Sequence, residues 1–221
     1  MDKHRIILWV SILLLAGLFV VDALTGADAE RKVRVIIDPG HGGQDSGSTY
    51  DGVEEKNLNL KIAQYLAEEL EKRGVSYKLT REDDTFVSLS DRANIANQYD
   101  GDVFISIHHN AIKNAASANG TETLYFPSKD KMLLLSGEEL AQIVQNQLVS
   151  QLGTRDRGTV ARSNLAVIRK TNMAACIAEI GYLSNSNERG QMVSESFQRA
   201  AAKALADAIQ EALTIIDTKE P

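Results

Sequence analysis

Short apolar runs alternate with amphipathic helical patterns from residue 33 to the C-terminus, and this alternation limits the possible folds most. The strand-like runs are continuously apolar, as is expected when both faces of a sheet are covered. Strands that alternate with helices typically form a parallel sheet with helices on both sides. The sequence therefore predicts an α/β fold, a three-layer αβα sandwich around a mostly parallel sheet of roughly six strands.

The individual elements follow from apolar periodicity and from capping residues. The predicted strands are 33–38, 75–80, 102–107, 121–126, 165–168 and 174–180. The predicted helices cover 57–73, 88–99, 136–153 and 196–215. Ser88 and Ser136 are expected to cap the second and third helices, since each has an acidic residue three positions later. Alternating polarity in 121–126 suggests an edge strand.

The first 29 residues differ in kind from the rest. A basic stretch at 3–5 precedes an uncharged apolar run at 6–21, and small residues follow. This order is typical of an export signal, although the run is longer than many signal cores and shorter than a full membrane span. We expect residues 1–29 to be a signal peptide or an N-terminal membrane anchor, with a buried helix as the alternative. Residues 30–221 are then expected to form one domain.

Composition argues against nucleic-acid binding and against an intrachain disulfide. The chain carries a formal net charge of −6 and has no run of five basic residues, which argues against nucleic-acid binding. Its single cysteine, Cys176, cannot form an intrachain disulfide and lies in an apolar run. We expect a buried, unreactive thiol there.

Side chains suited to acid–base or metal chemistry stand where three predicted strands end. His41 follows the first strand, His108 follows the third, and Glu179 ends the last. In sheets of this class, ligands bind outside the carboxyl ends of the strands. Glu55, just before the first helix, faces the same rim. We therefore expect these four side chains to lie near one another.

Two imidazoles and one carboxylate form a common catalytic zinc set that leaves a fourth position for water. His41, Glu55 and His108 can supply this set, although a solvated loop histidine or a glutamate at a helix start is the ordinary alternative for each residue taken singly. Glycines around His41 let backbone and substrate approach closely. His108 and His109 would point to opposite faces of a continued strand, and spacing alone leaves open which of them is the ligand.

Four ordered segments resemble the zinc-dependent N-acetylmuramoyl-L-alanine amidases of the Amidase_3 family. They are Ile37-Asp38-Pro39-Gly40-His41-Gly42-Gly43, Glu55-Lys56-Asn57-Leu58-Asn59-Leu60, Ser106-Ile107-His108-His109-Asn110-Ala111 and Ala178-Glu179-Ile180-Gly181-Tyr182-Leu183-Ser184-Asn185. Their order and separations also fit, and Thr80-Arg81 and the segment 89–97 are similar too. Four ordered motifs across a whole domain indicate the family far more specifically than one short pattern would.

The resemblance implies that His41, Glu55 and His108 bind one catalytic Zn²⁺ and that Glu179 is the catalytic carboxylate. The family's Ser-Ile-His-x-Asn pattern selects His108 over His109 as the ligand. At the position of His109 the family commonly has a small residue. We expect His109 to line the cleft or to face solvent.

The resemblance also implies a substrate and a mechanism. Zinc would activate a water molecule, and Glu179 would take a proton from that water and deliver it to the leaving amine. The bond cleaved would join the lactyl group of N-acetylmuramic acid to L-alanine in peptidoglycan. Asn110 is a candidate for substrate binding, and a turn-forming asparagine is the alternative. Arg92 is expected to be a structural ion-pair partner, and the charged segment 155–158 either borders the cleft or is a plain loop.

The expected partner is thus peptidoglycan, and residues 30–221 are expected to form a zinc amidase domain. The expected location is outside the cytoplasm, in the cell wall or periplasm, with the chain either released or attached to the membrane through residues 6–21. The alternatives are a catalytically inactive wall-binding protein and another zinc hydrolase, such as a carboxypeptidase. The complete set of four side chains argues against the first, and the order of the motifs argues against the second.

Overall fold

The computed structural model describes residues 32–128 and 133–219. The compact unit begins at Val33. The predicted export segment, residues 1–29, lies outside the described residues. Among the helices of the described part, none is long and apolar enough to cross a membrane.

Eight strands are present in the described residues. They are β1 (Val35–Pro39), β2 (Thr49–Tyr50), β3 (Val53–Glu54), β4 (Tyr77–Leu79), β5 (Val103–Asn110), β6 (Thr121–Tyr125), β7 (Asp156–Ala161) and β8 (Ala174–Tyr182). Six of them form one sheet in the order β4-β1-β5-β8-β6-β7, and β2 pairs with β3 in a separate hairpin. Within the large sheet β6 runs antiparallel to β8, and the other neighbouring pairs are parallel. The predicted mostly parallel sheet is confirmed.

Helices cover both faces of this sheet, as predicted. They are α1 (Glu55–Lys72), α2 (Leu89–Tyr99), α3 (Gly137–Leu152), α4 (Ala166–Arg169), α5 (Ser186–Met192) and α6 (Glu195–Lys219). Helices α1, α3 and α6 share one buried cluster with the sheet face that carries Ile37 and Ile105. Residues of α2 and α4 pack on the opposite face, against Phe104 and Ile177. The three-layer αβα architecture is therefore confirmed.

Local signals explain where several elements begin and end. The Ser88 hydroxyl accepts a hydrogen bond from the backbone N–H of Asp91 at 3.2 Å, and Ser136 forms a reciprocal capping box with Glu139. Gly153 ends α3 in the left-handed conformation, where a side chain would be strained. The predicted caps are thus confirmed. They need no tertiary contacts, which is why sequence alone could locate them.

One predicted strand and the predicted edge position of another are wrong, although the strand at 121–126 itself is confirmed as β6. Residues 165–168 were predicted to be a strand, but Leu165 is the N-cap residue of a short helix, α4, that begins at Ala166. Val167 and Ile168 pack against one face of the sheet from this helix, so they are buried without forming a strand of the sheet. Residues 121–126 were expected at an edge, but β6 lies between β8 and β7. The edge on this side of the sheet is β7, a strand whose polar and glycine residues gave no apolar pattern, as is common for edge strands.

The single cysteine of the chain lies in the interior of the sheet. Cys176 is fully buried in β8, and burial raises the pKa of its thiol, so the predicted buried cysteine is confirmed.

Asp207 of α6 links three helices of one layer through hydrogen bonds. Its carboxylate accepts from Arg73, just after α1, at 2.7 Å and from Gln151 of α3 at 2.8 Å.

Candidate metal centre and acid–base site

His41, Glu55 and His108 converge at the carboxyl ends of β1 and β5, beside the first turn of α1. Each of them offers one ligand atom, and these atoms all lie within 4.8 Å of one another. Glu55 Oε1 lies 3.2 Å from His41 Nε2 and 3.0 Å from His108 Nδ1. The three side chains predicted from sequence are therefore within reach of a common ion.

Glu55 is fixed by backbone groups on both of its oxygens. Helix α1 begins at Glu55, two residues earlier than predicted, and the carboxylate turns back toward the loop before it. Its Oε2 accepts from the N–H of Ser48 at 2.9 Å, and its Oε1 accepts from the N–H of His109 at 3.2 Å. The buried carboxylate is thus oriented toward the two imidazoles before any ion binds.

His41 lies in a tight loop that aims its ring at Glu55. Its φ is 62°, a left-handed conformation uncommon outside glycine. Its Nδ1 lies 2.9 Å from Asp45 Oδ2, which leaves Nε2 on the side of Glu55. A carboxylate behind a histidine is the usual support for a metal-binding imidazole. Sequence analysis missed Asp45, whose only signal was its place four residues after His41.

The backbone of Gly47, a residue that the sequence did not single out, passes close to the side chains of His41 and Glu55. Gly47 has a φ of 65°, and a Cβ there would lie 2.6 Å from the His41 ring and 2.7 Å from Glu55 Oε2. Glycine is therefore required for two reasons, conformation and space.

Two buried arginines hold the loop that carries His41. Arg92 pairs with the buried carboxylate of Asp38 at 2.7 Å, and it also donates to the carbonyls of Pro39 at 2.7 Å and His41 at 2.6 Å. Arg81 donates to the carbonyl of Pro39 at 2.9 Å. The expected role of Arg92 as a structural ion-pair partner is confirmed, and Arg81 is a second support that spacing did not reveal.

The expectation that His109 lines the cleft or faces solvent is wrong. Its side chain is buried beneath α1, and its Nδ1 lies 2.8 Å from Asn59 Oδ1. Alternation along β5 accounts for this placement, because His109 shares the face of Ile105 and Ile107 that α1 covers. Burial lowers the pKa of His109 to about 4, so the ring is neutral at pH 7.

Glu179 lies on β8 directly opposite His108 in the parallel register. Its Oε2 is buried and has no hydrogen-bond partner among the described residues. Burial raises the pKa of Glu179 to about 7, and the negative charges of Glu55 and Glu122 act in the same direction. A carboxyl group with such a pKa can both accept and return a proton near neutral pH.

The electrostatics of the three-residue group favour positive charge. Burial opposes protonation of His41, but Glu55 and Asp45 outweigh it and raise the pKa of His41 to about 9. Burial likewise would raise the pKa of Glu55, but hydrogen bonds from His108 and His41 hold it well below its usual range. Such a pocket suits a cation, which competes with protons for the same ligand atoms.

Asn110 uses both ends of its side-chain amide within the protein. Its Nδ2 donates to Glu122 Oε1 at 2.7 Å, and its Oδ1 accepts from the N–H of Ala111 at 2.8 Å. A direct role of Asn110 in substrate binding stays a prediction.

Taken together, the αβα sandwich and the site define a class of protein: a hydrolase with a His–Glu–His group that could hold a metal ion, beside an unpaired buried carboxylate. Residues 35–211 match the Amidase_3 family, described as N-acetylmuramoyl-L-alanine amidase. The chain belongs to this family of peptidoglycan hydrolases, as its motifs predicted.

Individual relatives agree with the family match. Over 178 residues the chain is 40% identical to the uncharacterized protein YqiI of Bacillus subtilis (strain 168), covering 79% of this chain and 82% of YqiI. It is 36% identical over 173 residues to the N-acetylmuramoyl-L-alanine amidase LytC of the same organism, covering 78% of this chain but only 34% of LytC. Much of LytC therefore lies outside the matched region.

Solved structures support the same conclusion. The N-acetylmuramoyl-L-alanine amidase from Clostridium difficile 630 superposes with a TM-score of 0.77 at 39% identity, covering 84% of this chain and 98% of that one. The CwlD amidase from Clostridioides difficile, solved in complex with the GerS lipoprotein, gives a TM-score of 0.75 at 30% identity, covering 82% of this chain and 98% of that one. The predicted fold and enzyme class are confirmed.

Proposed function

We propose that this amidase uses one zinc ion, held by His41, Glu55 and His108, to hydrolyse the amide between the lactyl group of N-acetylmuramic acid and L-alanine. Glu179 serves as the acid–base group. The observation that carries the proposal is the approach of the three ligand atoms to within 4.8 Å of one another, beside the unpaired Oε2 of Glu179.

The donor set suits zinc. Imidazole nitrogens and a carboxylate oxygen are its usual ligands in catalytic sites, which keep one position open. Asp45 supports His41 from behind, and the N–H of Ser48 supports Glu55, so the ligands are preorganised. When bound, zinc supplies Lewis acidity, which polarises a scissile carbonyl and makes a water molecule more acidic.

Glu179 moves the proton in this scheme. Its buried carboxylate accepts a proton from the attacking water and then donates it to the departing amine of L-alanine. The second transfer matters because an amine anion is too basic to leave unprotonated. Proton transfer by one positioned side chain typically contributes about 10²- to 10⁴-fold in rate.

A digest of purified peptidoglycan tests the activity and the role of Glu179 together. The protein is expected to release peptides with new N-terminal alanine, and Glu179→Gln to lose about 10²- to 10⁴-fold in rate while keeping its zinc. Glu211→Gln on the exposed side of α6 is the matched control and is expected to retain activity. Near-full activity of Glu179→Gln would overturn the acid–base assignment.

The site of action is proposed to lie outside the cytoplasm. Relatives in Staphylococcus epidermidis carry the name "Probable cell wall amidase LytH", at 36% identity over 180 residues covering 80% of this chain and 57% of LytH. The basic stretch at 3–5 and the apolar run at 6–21 fit an export signal or anchor. Fractionation of cells that express the full chain should find it outside the cytoplasm, and a cytoplasmic pool that persists with residues 1–29 intact would contradict this.

A further inference from the structure

A row of polar side chains crosses the sheet from the metal site to the edge strand. His108 of β5 lies opposite Glu179 of β8, which in turn lies opposite Glu122 of β6. Beyond Glu122, the Arg157 side chain of β7 approaches it, with Nε 3.9 Å from Oε1. Residues directly opposite on neighbouring strands point to the same face. The row therefore puts a guanidinium two strands beyond the acid–base carboxyl, on the same face.

The guanidinium of Arg157 is held by an aromatic ring and a backbone carbonyl, and its ion pair with Glu122 is long, at 3.9 Å. It lies over the Tyr182 ring at 5.0 Å, and its Nη1 donates to the carbonyl of Asn119 at 3.3 Å. Glu122 Oε1 instead accepts from the Tyr182 hydroxyl and from Asn110, each at 2.7 Å. Arg157 thus keeps a charged edge that is partly exposed, with 31% of its side chain accessible.

A bulge in β7 directs Arg157 toward this row. The register between β6 and β7 shifts between Thr121 and Thr123, opposite the segment that contains Arg157. Gly158 follows with a φ of 79° and donates its N–H to Asp156 Oδ1 at 2.8 Å. Bulges are common beside active sites, where they re-aim a side chain. The charged segment 155–158, for which the sequence left open a border of the cleft or a plain loop, therefore has a defined conformation beside this row.

We propose that Arg157 binds a carboxylate of the departing stem peptide. This inference rests on the proposed function, in which Glu179 delivers a proton to the leaving amine. Glu179 separates the metal group from β6 and β7, so a peptide attached to that amine extends over these strands. Two strand spacings are about 10 Å, a distance that two extended residues and an arginine side chain can bridge.

The chemistry favours a carboxylate as the group recognised. Arginine presents a planar fork of donors that matches a carboxylate. On the acyl side of the scissile bond the lactyl carboxyl is already part of the amide, so the free carboxylates belong to the peptide side. Arg157 is thus a residue that selects for charge in the first residues of the stem.

Paired substrates test this role directly. We would compare glycan strands whose second stem residue carries either a free carboxylate, as in isoglutamate, or a carboxamide, as in isoglutamine. Arg157→Met is expected to lower kcat/KM about 10- to 100-fold on the carboxylate substrate, as expected for losing a charged hydrogen bond, and to leave the carboxamide substrate nearly unaffected. Arg157→Lys keeps the positive charge but loses the planar pair of donors, so it should lower kcat/KM on the carboxylate substrate less than Arg157→Met does.

A matched control removes an arginine from the far end of the same strand. Arg162 is exposed and directly follows β7, whose other end carries Arg157. Arg162→Met should leave both substrates unaffected. Equal losses on the two substrates with Arg157→Met, or no loss on either, would overturn the proposal. Release of N-terminal alanine by the unmodified protein tests the proposed function separately, since its absence on both substrates would refute the amidase activity itself.

Discussion

Replacing Arg92 by methionine probes how the fold holds the loop that carries His41. Arg92 and Asp38 are both almost fully buried, and methionine keeps most of the length of the arginine while removing its charge. Breaking a buried ion pair from one side typically costs about 3–5 kcal/mol, because the remaining charge stays buried. Asp38 keeps hydrogen bonds from Thr80 at 2.5 Å and Ser106 at 2.7 Å, which favours the lower end of that range.

The effect should appear both in stability and in metal binding. In a domain of this size, about 3 kcal/mol lowers Tm by about 6–12 °C, which thermal unfolding in the presence of a chelator would measure without any contribution from bound metal. The loop carbonyls of Pro39 and His41 lose their charged donor in the same variant. Zinc affinity is therefore expected to fall about 10- to 100-fold, as for other residues that support a ligand from behind.

An exposed arginine provides the control for this experiment. Arg199 forms ion pairs with Glu68 and Glu195 on the surface, where solvent and salt screen such pairs and they contribute little to stability. Arg199→Met should therefore change Tm little and leave zinc affinity unchanged. If Arg92→Met were no more destabilising than Arg199→Met, the account of the loop support would be refuted. The double variant Asp38→Asn, Arg92→Met should lose less free energy of unfolding than the sum of the losses in the two single variants.

Three further predictions follow from the structure. A Cβ at Gly40 would overlap the His108 ring, so Gly40→Ala should weaken zinc binding, whereas Gly190→Ala, with open space around it, should not; equal zinc titration curves would contradict this. His109→Ala should keep one zinc per chain but lower the free energy of unfolding by about 1–3 kcal/mol in urea, since it leaves the buried amide oxygen of Asn59 unpaired; loss of zinc would instead make His109 a ligand. Burial raises the pKa of Asp207, but hydrogen bonds from two basic side chains and a glutamine outweigh it and lower the pKa to about 2. Because the folded pKa lies below the unfolded one, this stabilisation is present above about pH 4 and is lost as pH falls through about 2. Asp207→Asn should therefore lower the free energy of unfolding by about 1 kcal/mol at pH 7 and by progressively less as pH falls through 2, and a constant difference across that range would contradict the assignment.

Sequence alone predicted the four central residues because their positions follow from topology. His41, His108 and Glu179 come directly after or at the ends of apolar runs, and parallel strands bring such ends to one edge. The family resemblance then chose between His108 and His109. Alternation along β5 places His109 on the face of Ile105 and Ile107, but it does not show that α1 covers this face as far as His109, which depends on the position of Asn59.

Residues outside the strand ends were missed because loop geometry decides their contacts. Asp45 and Gly47 reach His41 only because the loop turns back through left-handed conformations. Arg81 reaches the carbonyl of Pro39 across 42 positions of sequence. The edge strand β7 gave no apolar period because its outer side faces solvent, so the role of Arg157 emerged only from its place beside Glu122.

The zinc content of the purified protein tests the central claim most directly, measured by elemental analysis together with zinc X-ray absorption. The account predicts one zinc per chain with two imidazole nitrogens and a carboxylate oxygen as protein ligands, and loss of this zinc in His108→Ala. A protein that releases N-terminal alanine from peptidoglycan without bound metal, or that keeps its zinc in His108→Ala, would contradict it.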